Sequence, residues 1–283
     1  RSNRTKTLAP STRLSPPARR LVRGATHAEL DEVVDQFGRA ARVAVESGFD
    51  AIEVHLGHNY LLSSFLSANL NKRNDEYGGS LENRMRLPRR AIAAVRAAVG
   101  NDVAVTAKFN MADGVPQGLW LDESLPFAAM LEADGQLDAL QLTGGSSLLN
   151  GMYFFRGDVP MAEFIATQPA AVGLGLRVMG HKIFPEMPFE EGFFLPFARQ
   201  FRAALSMPLI LLGGINELAT IEGALAEGFD FVAMARALLR QPDLPNRMRD
   251  GEQSASLCVH CNKCMPTIFT GTRCVLTTPA VHA

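Results

Sequence analysis

Hydrophobic and polar positions along the chain alternate between two periods. Thr26-His-Ala-Glu29 has the form of a capping box, and Leu30, Val33, Val34, Phe37, Ala41 and Val45 follow at helical spacing until Gly48. The short apolar run from Ala51 to Val54 then reads as a buried strand. The same alternation recurs four times. A helix over about 80–98 precedes the strand Val103–Phe109, and one over about 122–134 precedes Ala139–Leu142, which runs into Thr143-Gly144-Gly145. After a long loop, a helix around 192–205 leads to Pro208–Leu212 and Gly213-Gly214, and a helix over 217–227 leads to Phe231–Met234 and Ala235-Arg236. Strands separated by helices predict right-handed βαβ units and a parallel sheet, so the fold class is α/β.

Composition narrows the function. With 283 residues, 47% hydrophobic and 20% charged, the chain can bury a large core. A net charge of −1 gives no electrostatic case for nucleic acid or an anionic membrane surface, and no apolar run approaches the roughly 20 residues that span a bilayer. The expected partner is a small molecule. Residues 1–28 carry seven Lys/Arg and no acid before Glu29, but Pro10, Pro16 and Pro17 break any amphipathic helix, so 1–25 reads as a polar connector and not as a targeting segment. No secretory signal core is present, which places the four cysteines in a reducing, cytoplasmic setting as thiols or metal ligands.

Candidate chemistry clusters after the first strand, in Glu53-Val-His55-Leu-Gly-His58-Asn-Tyr60-Leu-Leu. His55 and His58 can be read as a metal pair, as hydrogen-bonded core residues, or as two N–H donors for an oxygen on which negative charge develops; the last reading fits best. Tyr60, protonated at neutral pH, suits a proton donor, with a core aromatic as the alternative. Lys108, near the end of its strand, is either a cation facing the site or a salt-bridged core residue. Gly213, Gly214, Ala235 and Arg236 sit where barrel loops hold a phosphate on backbone N–H groups. Tyr153, Phe154, Phe155 and Arg156, in the loop Ser146–Pro160, are expected over the site. Cys258-Val-His-Cys261-Asn-Lys-Cys264, with Cys274 after nine intervening residues, suits a cubane iron–sulfur cluster or a structural zinc.

The His-containing run and the later Asn71-Lys-Arg73-Asn-Asp75-Glu-Tyr77-Gly78-Gly79-Ser80-Leu-Glu-Asn83-Arg84 together resemble, in order, the signature of the Old Yellow Enzyme family of FMN-dependent NAD(P)H:flavin oxidoreductases. Asn59 stands where that signature usually has glycine, and Ala68 where it has proline. The resemblance spans about residues 8–275 and implies a (β/α)8 TIM barrel of which five of eight strand–helix units are visible, with 26–250 as a partial FMN-binding barrel and 251–283 as a Cys-rich tail. It further implies NAD(P)H as reductant, reduction of an activated alkene, His55 and His58 on the substrate carbonyl, and Tyr60 as proton donor. Lys108 would face the flavin pyrimidine, and Gly213, Gly214, Ala235 and Arg236 would hold the FMN phosphate. Some family members carry a [4Fe-4S] cluster just after the barrel, with one more residue between the second and third cysteines than here. The run from Asn71 to Arg84 reads as architectural, with Arg73 and Arg84 as carboxylate partners. Two alternatives stay open: an inactive fragment of such an enzyme, whose open sheet edges call for a partner or a second copy of the chain in a homo-oligomer, and a metal-binding redox module built on the cysteines.

Overall fold

The computed structural model describes residues 7–15 and 20–277. Two compact units emerge, one of Arg1–Leu149 with Phe197–Ile210, the other of Asn150–Pro196 with Leu211–Ala283. The chain opens with β1 (Arg13–Ser15) and β2 (Arg20–Val22), an antiparallel ladder in which Leu14 pairs Leu21. The stretch read as a polar connector therefore contains a sheet of its own; strands of three residues are too short to show a period-2 pattern, which is why sequence alone missed them. Pro16 and Pro17 lie outside the described residues.

Helix α1 (His27–Glu46) starts at Thr26, whose hydroxyl accepts from Glu29 N while the Glu29 carboxylate reaches back to the Thr26 N–H, so the capping box forms as spelled. Then come β3 (Ala51–Leu56), α2 (Leu61–Leu66), α3 (Leu81–Val99), β4 (Ala104–Asn110), α4 (Leu121–Asp134) and β5 (Ala139–Thr143). Helices α5 (Met152–Phe155), α6 (Met161–Ala166) and α7 (Ala170–Ile183) occupy the stretch expected to be a long loop. In α7, Gly173, Gly175 and Gly180 interrupt the run and only two basic residues close it, so no amphipathic stripe marks it as helical. Next are α8 (Leu195–Ala204), β6 (Leu209–Leu212), α9 (Leu218–Ala226), β7 (Phe231–Ala233), α10 (Arg236–Arg240) and α11 (Leu244–Arg249).

Strands β3 to β7 form one sheet in sequential order. The ladders β3–β4 and β4–β5 are parallel, with His55 beside Lys108 and Lys108 beside Gln141. Side chains alternate across this sheet. Val54, Leu56, Val105, Ala107, Phe109, Leu140 and Leu142 form a fully apolar, buried face, where each large side chain contributes roughly 1.5–3 kcal/mol over exposure. Glu53, His55, Thr106, Lys108, Asn110, Gln141 and Thr143 share the opposite face. Strand β3 is an edge strand, and its Ala51 and Glu53 are exposed, so the fully buried strand expected there is instead buried on one side only.

Candidate active site

The first unit presents its polar face at the ends of β3, β4 and β5. Past β3 the chain makes a sharp turn: His58 and Asn59 are both left-handed, with φ of 59° and 57°, at a cost of roughly 1–2 kcal/mol per non-glycine residue. That turn lays the His58 ring 5.2 Å and the Tyr60 ring 5.1 Å from the His55 ring, centroid to centroid. Gly57 is favoured by space rather than by torsion: a Cβ there would lie 3.2 Å from the His55 ring and 3.1 Å from the Thr143 methyl, so those neighbours would have to give by a few tenths of an ångström.

Each ring is oriented by neighbours on the same face. His58 Nε2 lies 3.0 Å from Thr143 Oγ1. Burial first, then the positive charge of His55 and of Lys108, holds the His58 pKa down to about 3, and burial likewise lowers that of His55. Both imidazoles are thus neutral at pH 7. Tyr60 caps α2 and is 57% exposed, so its phenol faces outward beside His55 and is no core aromatic. Lys108 Nζ sits 2.8 Å from Glu53 Oε1, and Gln141 Nε2 donates to Glu53 Oε2. The lysine is therefore both ion-paired and on the His55 face, which merges the two sequence readings of it.

Beneath the turn lies Asp113, 1% exposed. Its Oδ1 accepts from Asn59 Nδ2 (3.1 Å) and Asn110 Nδ2 (2.8 Å), and its Oδ2 from Ser67 Oγ (2.7 Å) and Leu119 N (2.9 Å). Sequence reading missed Asp113, Asn110, Thr143 and Gln141. In a single sequence, Met-Ala-Asp-Gly-Val-Pro reads as a turn, and cross-strand register is invisible.

The second unit holds the glycine pair and the cysteines. Gly213 and Gly214 have φ of 120° and 75°, and a Cβ on either would strike Phe194 or Phe193 within 2.6 Å. The next amides are occupied by the chain itself: the Glu191 carboxylate accepts from Asn216 N (2.7 Å), Glu217 N (3.0 Å) and Asn216 Nδ2 (3.1 Å). A phosphate is left Gly213-Gly214 and the Ala235-Arg236 turn. Ala235 has φ −116°, a conformation that needs no glycine, so alanine fits there. The Arg236 side chain is committed elsewhere: Nη1 donates to Arg156 O (2.9 Å) and to Asn262 Oδ1. The turn offers a phosphate the Arg236 backbone, while Nη1 of the side chain is engaged within the unit.

Arg236 also lines a pocket with Arg240, Cys258, Cys261, Cys264 and Cys274. His260 and Asn262 are both left-handed at φ 54°, which turns the cysteines on either side toward that pocket, and Asn262 Nδ2 anchors the loop on Asp158 O at 2.9 Å. The His260 ring stacks on Phe189 at 3.4 Å. All four thiols are free and half-buried. Among the described residues no three His, Cys, Asp or Glu converge as a single ion requires, which applies to the His55–His58 pair and to the cysteines alike. Tyr153 and Arg156, expected over the site, pack within this unit: Tyr153 lies 5.7 Å from Phe194, and the Arg156 guanidinium stands 4.6 Å from the Phe193 ring centre.

The run after α2 is architectural, as its residue types suggested. Arg73 Nε donates to Asp75 Oδ1 (2.9 Å) and its Nη1 to Pro10 O and Ala25 O, while Arg84 clasps Glu123.

The model of the NADH:flavin oxidoreductase / NADH oxidase family matches residues 9–142. The 4,4'-dithiodibutanoate disulfide reductase of Rhodococcus erythropolis is 74% identical over 275 residues, 97% of this chain and 68% of that protein. This chain belongs to the NADH:flavin oxidoreductase family. Solved structures superpose well on the chain: a 2-naphthoyl-CoA reductase complex gives a TM-score of 0.78 at 25% identity, covering 97% of this chain and 38% of that one. The old yellow enzyme homologue of Zymomonas mobilis, at 22% identity and TM-score 0.62, covers 91% of this chain and 64% of its own and shares the fold. The five-stranded parallel sheet is thus part of an α/β barrel of the Old Yellow Enzyme type. The chain spans about a third of the length of two other relatives, an NADH oxidase of Thermoanaerobacter brockii and a metal reductase of Desulforamulus reducens, 32% of each. Among the described residues no helix is long and apolar enough to cross a membrane.

Proposed function

We propose that this chain is the FMN-binding and acceptor-binding part of an NAD(P)H-dependent oxidoreductase that reduces a small organic disulfide and, by the same chemistry, an activated alkene. The observation that carries the reading is the pair of neutral imidazoles at the end of β3, with the Tyr60 phenol beside them and the Lys108 cation on the same face. Bound FMN would take a hydride from NAD(P)H and pass it to the acceptor. In the net reaction one disulfide, one NAD(P)H and one proton give two thiols and NAD(P)+. Reduction puts negative charge on a departing sulfur, or on the carbonyl oxygen of an enone. Preorganised N–H donors in a partly dry site stabilise either. His55 and His58 hold that atom, and Tyr60 delivers the proton.

The disulfide ranks first because the 74%-identical Rhodococcus protein is named for a disulfide substrate, 4,4'-dithiodibutanoate. Lys108 and the backbone of Gly213, Gly214, Ala235 and Arg236 would hold the flavin. Cys258, Cys261, Cys264 and Cys274 would hold a [4Fe-4S] cluster, since a cubane takes one cysteine on each of four irons and its ligands ring a pocket without meeting at one point. Such a cluster would relay single electrons.

The test is the purified chain mixed with FMN and NADPH or NADH, followed at the flavin band and by thiol release from 4,4'-dithiodibutanoate, with 2-cyclohexenone in parallel. Stoichiometric flavin uptake and nucleotide-dependent thiol release are expected, lost in His55→Ala/His58→Ala. A folded chain that takes up no flavin, or thiol release indifferent to both histidines, would sink the reading.

A further inference from the structure

The Asp113 carboxylate is built into the first unit in a way that packing alone does not explain. It is buried beneath the His58–Asn59 turn, and all four groups facing it are donors: Asn59 Nδ2, Asn110 Nδ2, Ser67 Oγ and Leu119 N. Four donors and no acceptor describe the ionised form. Two of the four reach the turn. Asn110, while donating to Asp113, accepts the His58 backbone N–H on its Oδ1 at 3.1 Å and donates again to Gly145 O at 2.9 Å. Asn59 contributes its amide directly, and its own Oδ1 is buried with no hydrogen-bond partner. An amide that uses only its donor end is there for the carboxylate. The left-handed backbone at 59 would be met at less cost by glycine, which brings no such contact.

We propose that Asp113 is a positioning residue: it pins both residues of the strained turn, directly at Asn59 and through Asn110 at His58, and so fixes where the His58 imidazole meets the acceptor. This rests on the reading of His58 as an acceptor-binding group. Ser147 N on His58 O (3.0 Å) and Thr143 on the ring complete the hold. Released from Asp113, the turn can relax toward right-handed torsions and carry the imidazole off its target, and displacement by about 1 Å can cost on the order of a hundredfold in rate.

Two variants that remove one hydrogen bond each from the same carboxylate separate positioning from support. Asn59→Ala deletes the donor on the turn and keeps the backbone restriction; Ser67→Ala deletes a donor away from it. With the FMN-loaded full chain in a stopped-flow instrument, flavin reduction by NAD(P)H and reoxidation by 4,4'-dithiodibutanoate are timed separately. Asn59→Ala and Asp113→Asn are expected to slow reoxidation about ten- to a hundredfold with flavin content and flavin reduction unchanged, while Ser67→Ala stays within about twofold. Asn59→Gly in the Asp113→Asn background is expected to regain part of the loss, because glycine adopts the turn unaided. Equal effects of Asn59→Ala and Ser67→Ala, or an unchanged reoxidation rate in both Asn59→Ala and Asp113→Asn, overturn the proposal, and the alanine pair decides even if Asp113→Asn does not fold. His58→Ala identifies which idea failed: if it too leaves reoxidation unchanged, the reading of His58 is wrong; if it slows it while Asn59→Ala does not, only the role of Asp113 is.

Discussion

His58 is neutral because it is buried in positive company. Protonation would place a buried cation near His55 and Lys108, and its pKa is held at about 3 in consequence. In the unfolded chain the same ring titrates near 6.5. Between those values the unfolded state binds a proton that the folded state refuses, so this contribution to stability is complete above about pH 6.5 and is lost as pH falls toward 3. For function the expected outcome is an acceptor half-reaction with no His58 ionisation across neutral pH. A histidine ring titration by NMR checks it: the His58 signal should show no midpoint above about pH 5, and Lys108→Met should move its midpoint upward. A His58 midpoint near 6.5 would contradict the neutral-donor picture. The two histidines, Tyr60 and Lys108 were legible because a compact motif and a strand end carry them. Glu53 and Gln141, which decide what Lys108 does, were not, since only the parallel register of β3, β4 and β5 sets Gln141 beside Lys108 and brings Glu53, 88 positions from Gln141, onto the same face within reach of both.

Among the elements, α3 shows how the motif run serves the fold. Arg84, in its first turn, is buried, donates to both Glu123 oxygens at the start of α4, to Leu66 O at the end of α2, and lies 5.3 Å from the Phe127 ring centre. One guanidinium ties three helices. The pair is asymmetric: the side chain of Arg84 is 4% exposed and that of Glu123 28%. Removing Glu123 strands a buried cation, whereas Arg84→Met leaves a carboxylate that water can reach and keeps an apolar stem on Phe127. We therefore expect Glu123→Ala to cost about 3 kcal/mol and Arg84→Met about 1 kcal/mol, read as shifts of the urea midpoint. The reverse order would mean that contact with Leu66 and Phe127, not charge pairing, is what Arg84 supplies. Helices with a cap and a stripe, such as α1, could be read from sequence to within a residue or two. Helix α7 could not, because glycines at 173, 175 and 180 dilute its pattern, and neither could β1 and β2, whose three residues each leave no period to detect.

At the scale of the whole molecule, the loops proposed to hold the flavin phosphate and the cysteine pocket lie in the same unit and share one residue. The Arg236 backbone follows β7 at the Ala235 turn, while its guanidinium, bonded to Arg156 O and Asn262 Oδ1, forms a wall of the pocket that contains all four cysteines. Burial lowers the pKa of that guanidinium, and the nearby cysteines oppose the shift. Iron and flavin contents should therefore fall together in one variant and separately in another. Arg236→Ala removes the cation and frees Asn262, which anchors the cysteine loop; it is expected to lower iron and acid-labile sulfide per chain and to weaken FMN binding severalfold. Cys274→Ala, remote in sequence from both loops proposed to hold the phosphate, is expected to lower iron while leaving FMN affinity within about twofold. Metal analysis beside flavin titration of the two variants checks it. Iron that survives Cys274→Ala would remove that cysteine from the ligand set, and FMN affinity untouched by Arg236→Ala would mean that the two sites are built independently.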